Sequence, residues 1–155
     1  MASNLDTLRL VLEQAERERD QAQAQLLQAQ ARAQQARTQA QDLHSYQNEY
    51  DARWQRQFQQ GGTGIETLNQ YRSFGDRLGD AIQQQGQVAA VLEARVGVAR
   101  QLLAEKETRV ASVRKLIERR LAEAQALAAK QEQKAIDEFG QRAVWRDPHA
   151  ARPSA

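Results

Sequence analysis

The chain of 155 residues contains no cysteine. That absence excludes a disulfide framework, a thiol nucleophile and thiolate metal ligation, and it agrees with a cytosolic protein. Proline occurs twice, at Pro148 and Pro153, so nothing upstream of the C-terminal tail breaks a helix by ring geometry. Histidine is equally scarce: neither His44 nor His149 has a second ligand-type side chain at a metal spacing. No apolar run approaches the roughly 18 residues a membrane span requires. Met1 to Arg9 lacks a basic segment followed by an apolar core, so it does not read as a signal peptide. A net charge of +2 is too small to argue for nucleic acid. Glycine is concentrated in Gly61-Gly62-Thr63-Gly64, which lacks the Lys-Ser/Thr of a phosphate-binding loop. The carboxylates are scattered along helix faces and never paired. No catalytic, cofactor-binding or metal-ligating residue is therefore assigned, and a non-enzymatic protein is expected.

What the chain does contain is Gln, Ala, Arg, Glu and Leu in abundance, all good helix formers. Two long helical patterns flank the glycine segment. The first holds an alternating three-four spacing from Leu5 through Leu8, Leu12, Ala15, Arg19 and Ala22 to Trp54 and Gln57, with 13 of its 16 positions apolar. The second runs from Leu68, Tyr71, Gly75 and Leu78 to Leu127, with 14 of 18 apolar. A period of about 3.5 residues sustained this long is the coiled-coil signature. The expected fold is all-α: an antiparallel two-helix coiled-coil hairpin over 1–146. Helix one covers about 4–60 with Ser3 or Asn4 as N-cap, and the turn is 61–64. Helix two covers about 65–142, opened by a capping box of Thr63 with Glu66 or by Thr67 with Gln70. The tail 147–155, with both prolines, is expected to be disordered.

Folding at the glycines pairs residues whose numbers sum to about 125. The small residues of helix one mostly meet larger ones: Ala33 faces Leu92, Ala29 faces Val96, Ala22 faces Leu103 and Ala15 faces Val110, while Ala36 faces Ala89, Leu26 faces Ala99, Leu43 faces Ile82, Leu12 faces Val113 and Leu8 faces Ile117. Alternating small with large fills a seam without voids, whereas a parallel dimer would stack alanine on alanine from Ala29 to Ala40. One layer conflicts: Arg19 faces Lys106, with Glu18 and Glu105 nearby to compensate. At about 1.5 Å per residue, helix one is about 85 Å long and helix two about 110 Å, leaving an overhang of helix two from Ala122 to about Arg142. It carries Leu127, Ile136, Phe139, Val144 and Trp145 with no intramolecular partner.

The aromatics cluster beside the turn. Tyr46, Tyr50, Trp54 and Phe58 end helix one, and Tyr71 and Phe74 open helix two. Tyr46 and Phe74 flank the seam, so the cluster reads either as packing of the hairpin end or as a binding hot spot. Gly75, Gly79, Gly86 and Gly97 inside helix two read as tolerated substitutions. Arg95 to Arg120 has eight Lys or Arg against three Glu, either a solvated face or a docking stripe for an acidic protein.

Two short motifs carry a family resemblance. Tyr46-Gln47-Asn48-Glu49-Tyr50 after Leu43 resembles the end of the first helix of the FliJ family. Lys134-Ala135-Ile136-Asp137-Glu138-Phe139-Gly140-Gln141-Arg142-Ala143 resembles its C-terminal signature. Tyr71, Phe74, Leu78, Ala81 and Ile82 match the opening of its second helix. The resemblance implies a cytoplasmic stalk of the flagellar type III export apparatus, peripheral to the inner membrane at the flagellar base. It implies partners: the export ATPase FliI ring, the export gate protein FlhA and export chaperones. The family's gate-facing patch maps onto Gln39, Leu43, Tyr46, Tyr50, Phe74, Leu78, Ala81 and Gln85, the last standing where well-known members carry histidine. The ATPase contact is expected on the overhang at Leu127, Lys134, Ile136, Phe139 and Arg142. A stalk of a virulence secretion system, or a structural coiled-coil clamp without an ATPase partner, is the alternative.

Overall fold

The computed structural model describes residues 2–150, with side chains over 4–145. Two helices account for nearly all of it: α1, Ala2–Gln59, and α2, Ile65–Ala150. They pack against each other as an all-α antiparallel pair.

The helix ends depart from expectation in three places. Helix α1 already runs from Ala2, so Ser3 and Asn4 lie inside it and do not cap it. Helix α2 continues past Arg142 and takes in residues 147–150, which were expected in the tail; residues 151–155 lie outside the described residues. Gly140 keeps a helical backbone, and without a left-handed residue there nothing stops the helix. Finally, Thr63 does not form its capping box. The Leu68 N–H donates to the Gly64 carbonyl at 3.1 Å, which makes Gly64 the N-cap, and the buried Thr63 Oγ1 has no partner among the described residues. Glycine is only a few tenths of a kcal/mol poorer than threonine as a cap, so the turn decides the position. Gly61 (φ 78°) and Gly62 (φ 79°) both occupy the left-handed region, and Gly61 N–H closes onto the Phe58 carbonyl at 3.3 Å.

The chain divides into two compact units. The unit Glu16–Thr108 contains the turn. Its buried side chains are Ala22, Ala33 and Ala36 from α1 and Leu78 and Val96 from α2. Gln85 donates to Gln39 Oε1 at 3.1 Å and Lys106 Nζ to Glu18 Oε2 at 3.2 Å, while the rings of Trp54 and Tyr71 lie 5.4 Å apart. Each of these pairs sums to 124 or 125, the register expected from the sequence. The conflicting layer resolves through two carboxylates. Lys106 takes Glu18 across the seam, and Arg19 takes its neighbour Asp20 at 3.0 Å. Glu105, expected to share in this layer, pairs with neither cation.

The second unit comprises Met1–Ala15 and Arg109–Ala155. Ala15 and Val110 are buried, and Leu5, Leu8, Leu12, Val113 and Ile117 are half-buried. From Glu118 to Trp145 every residue is exposed. Leu127, 58% exposed, lines a shallow groove with Asn4, Leu5, Arg120, Glu123 and Ala124.

Candidate partner-binding surfaces

Six aromatic rings pack next to the turn because α1 brings in four at four-residue steps and α2 supplies two more three residues apart. Tyr50 is the hub. Its ring centroid lies 4.8 Å from Phe74, 5.5 Å from Tyr71, 6.2 Å from Trp54 and 6.4 Å from Tyr46. Phe58 completes the cluster, 5.5 Å from Trp54 and 5.4 Å from Tyr71. Ring pairs at such separations add about 0.5–1.5 kcal/mol beyond the area they bury. Two hydroxyls are tied down as well: Tyr50 O–H donates to the Tyr71 carbonyl at 3.5 Å, and Tyr71 O–H donates to Asp51 Oδ1 at 3.2 Å. Burial, then the nearby Asp51 carboxylate and its hydrogen bond, push the Tyr71 phenol above its ordinary value.

Both sequence readings of the cluster therefore have a physical basis here. Tyr50, Trp54, Phe58, Tyr71 and Phe74 are half-buried and pack the helix pair, while Tyr46 is 47% exposed. The residues assigned to the gate-facing patch separate in the same way. Leu78 is buried; Leu43, Ala81 and Gln85 are half-buried; Gln39 is exposed. Gln85 spans the seam, donating to the Ala36 carbonyl at 3.3 Å as well as to Gln39. It is a satisfied polar layer, with Gln39 as its outward partner.

The overhang presents a different surface. Ile136 is 58% exposed, Phe139 76% and Trp145 80%. At about 100° per residue, Ile136 and Phe139 share one face. Leu127 and Trp145 share a second, and Val144 points to a third. Lys134 and Arg142 are exposed among them, and Gln133 donates to Asp137 at 3.1 Å. Sequence reading missed a further apolar feature, the exposed Val88, Val91 and Val98 on α2. Their three-four spacing was legible, offset by one residue from the dominant seam and hidden by it.

Among the described residues no group of three or more His, Cys, Asp or Glu could hold a metal ion, and no helix is long and apolar enough to cross a membrane. What the fold offers is exposed apolar and aromatic groups on long helices.

The family described as flagellar FliJ protein matches residues 4–149, and the chain belongs to it. Its members are non-catalytic components of flagellar-type protein export. No curated protein and no solved structure matched the chain.

Proposed function

We propose that this protein is the cytoplasmic stalk of a flagellar export apparatus, seated in the FliI ring through the α2 overhang and touching the gate protein FlhA through the aromatic patch. The observation that carries this reading is the overhang. A helix whose residues are all exposed from Glu118 to Trp145, with large apolar side chains on three faces, cannot bury them against one flat partner. A surrounding channel can, and a single helix about 10–12 Å across suits a ring's centre. Leu127, Ile136 and Phe139 are the apolar anchors, and Lys134 and Arg142 meet acidic loops. On the aromatic patch, Tyr46 is the outward ring, Tyr50 and Phe74 hold it in place, and Leu78 is buried. Delivery of chaperones and substrates, and a position at the cytoplasmic face of the flagellar base, belong to the same reading.

Truncation after Ala129 tests the ring contact. The buried residues Ala15 and Val110 lie upstream, so the remaining helix pair keeps its circular dichroism while stimulation of FliI and ring assembly fall sharply. Full stimulation by the truncated chain refutes the assignment. Tyr46→Ala weakens FlhA binding at unchanged helicity, and normal binding by both Tyr46→Ala and Phe74→Ala refutes the patch. A pull-down that brings down an injectisome ATPase in place of FliI would transfer the stalk to a virulence system.

A further inference from the structure

The two sides of the helix pair in the turn-containing unit are chemically unlike. On one side Arg37 of α1 meets Glu93 of α2 at 2.8 Å, and the charges pair. On the other side, where Gln39 and Glu18 reach Gln85 and Lys106, α2 carries a second apolar row. Val88, Val91, Val98 and Leu102 follow a three-four spacing in which Arg95 takes the middle place. Val91 is 53% exposed and Val98 69%. Arg95 immediately precedes the buried Val96, and Arg32 of α1 immediately precedes the buried Ala33. In the observed register these two cations stand at the same level on this side. Both are exposed, and neither makes an ion pair or hydrogen bond among the described residues.

We propose that this side is a docking groove for an amphipathic helix of another protein, one with an aliphatic three-four seam and a carboxylate level with Arg32 and Arg95. The period selects the form of the partner: a row repeating every three and four residues matches a helix, whereas a strand alternates every two. The charge selects its chemistry. Two unpaired guanidiniums beside a row of valines lose hydration when the groove is covered, and a carboxylate from the partner compensates that loss. A second copy of this chain fits poorly, since antiparallel pairing about the centre of the row sets Arg95 against Arg95 and like charges across an interface oppose binding. An anionic membrane is recognised by clusters of about 4–8 basic residues, and this face has too few.

The test uses the full chain and a labelled synthetic helix of about four heptads, with leucine and isoleucine on the three-four seam and two glutamates in its central turn. Binding is expected, weakened about tenfold or more by Val91→Asp and by Val98→Asp, with circular dichroism unchanged. Gln23→Asp, on the opposite side, leaves it as it was. The double variant Arg32→Glu, Arg95→Glu loses the glutamate peptide and gains a peptide carrying lysines in those places. Failure of the glutamate peptide to bind, binding indifferent to both valine changes, or no rescue by the lysine peptide overturns the proposal. So does self-association of the native chain in sedimentation that Val91→Asp abolishes, or binding to phosphatidylserine vesicles that the double arginine variant abolishes.

Discussion

Glycine-to-alanine substitution has opposite signs at different positions in this chain. Gly61 and Gly62 sit at φ 78° and 79°, and a Cβ built on either meets nothing within 4 Å. Steric conflict with neighbours therefore adds nothing, and the penalty is the intrinsic strain of a left-handed L-residue, about 1–2 kcal/mol. Gly79 and Gly86 lie inside α2 with helical backbones and the same open space around a Cβ. There alanine removes unfolded-state freedom and contributes about 1 kcal/mol. The same chemical change should separate the two classes by about 2–3 kcal/mol. With roughly 2–4 °C per kcal/mol for a chain of this size, thermal melts followed by circular dichroism resolve that difference. Gly61→Ala and Gly62→Ala melt below the native chain, and Gly79→Ala and Gly86→Ala above it. Should Gly86→Ala destabilise as much as Gly61→Ala, the interior glycines answer to packing or bending that open space around them does not reveal.

A cysteine pair at Ala33 and Leu92 should oxidise within one chain, seen as faster migration on non-reducing gels at low protein concentration; dimers alone contradict the antiparallel register. Because the Tyr71 phenol is raised above its ordinary value, both folded and unfolded chains hold the proton below about pH 10 and its stabilisation is complete there. As pH rises further the unfolded chain ionises first and stability falls, a loss that urea titrations should show for the native chain and show diminished for Tyr71→Phe. Lys106→Ala leaves the part-buried Glu18 without its cross-seam partner and should cost about 1–3 kcal/mol, whereas Glu93→Ala at the exposed pair with Arg37 should cost less than about 1 kcal/mol; equal losses in urea melts would contradict the burial argument.

The hairpin was legible because one period dominates both halves of the chain and the glycines interrupt it once. The register followed from matching Ala33 with Leu92 and Ala22 with Leu103, a volume argument that needs no coordinates. What escaped was set by local competition between near-equal options. Thr63 and Gly64 differ little as caps, so the reversal at Gly61 and Gly62 chose between them. Asp20 displaced Glu105 in the charged layer because heptad position does not fix where a long side chain turns. The end of α2 escaped because the proline-bearing tail reads as a stop, whereas the helix continues through residues 147–150. In the aromatic cluster the membership was plain, but which ring faces outward depends on the angle at which the helices meet, and only Tyr46 does so strongly.

The division of volume between the helices has a consequence during synthesis. The buried residues of α1 are all alanines, Ala15, Ala22, Ala33 and Ala36, while α2 supplies Leu78, Val96 and Val110. Helix α1 leaves the ribosome first and waits for α2, which at about 5–20 residues per second takes on the order of 5–20 s. Over that interval the waiting seam from Ala29 to Ala40 offers only methyl groups, too small an apolar surface to recruit neighbouring nascent chains strongly. The larger partners of that stretch, Leu92 and Val96, arrive last, already tethered through the glycine turn to the surface that covers them.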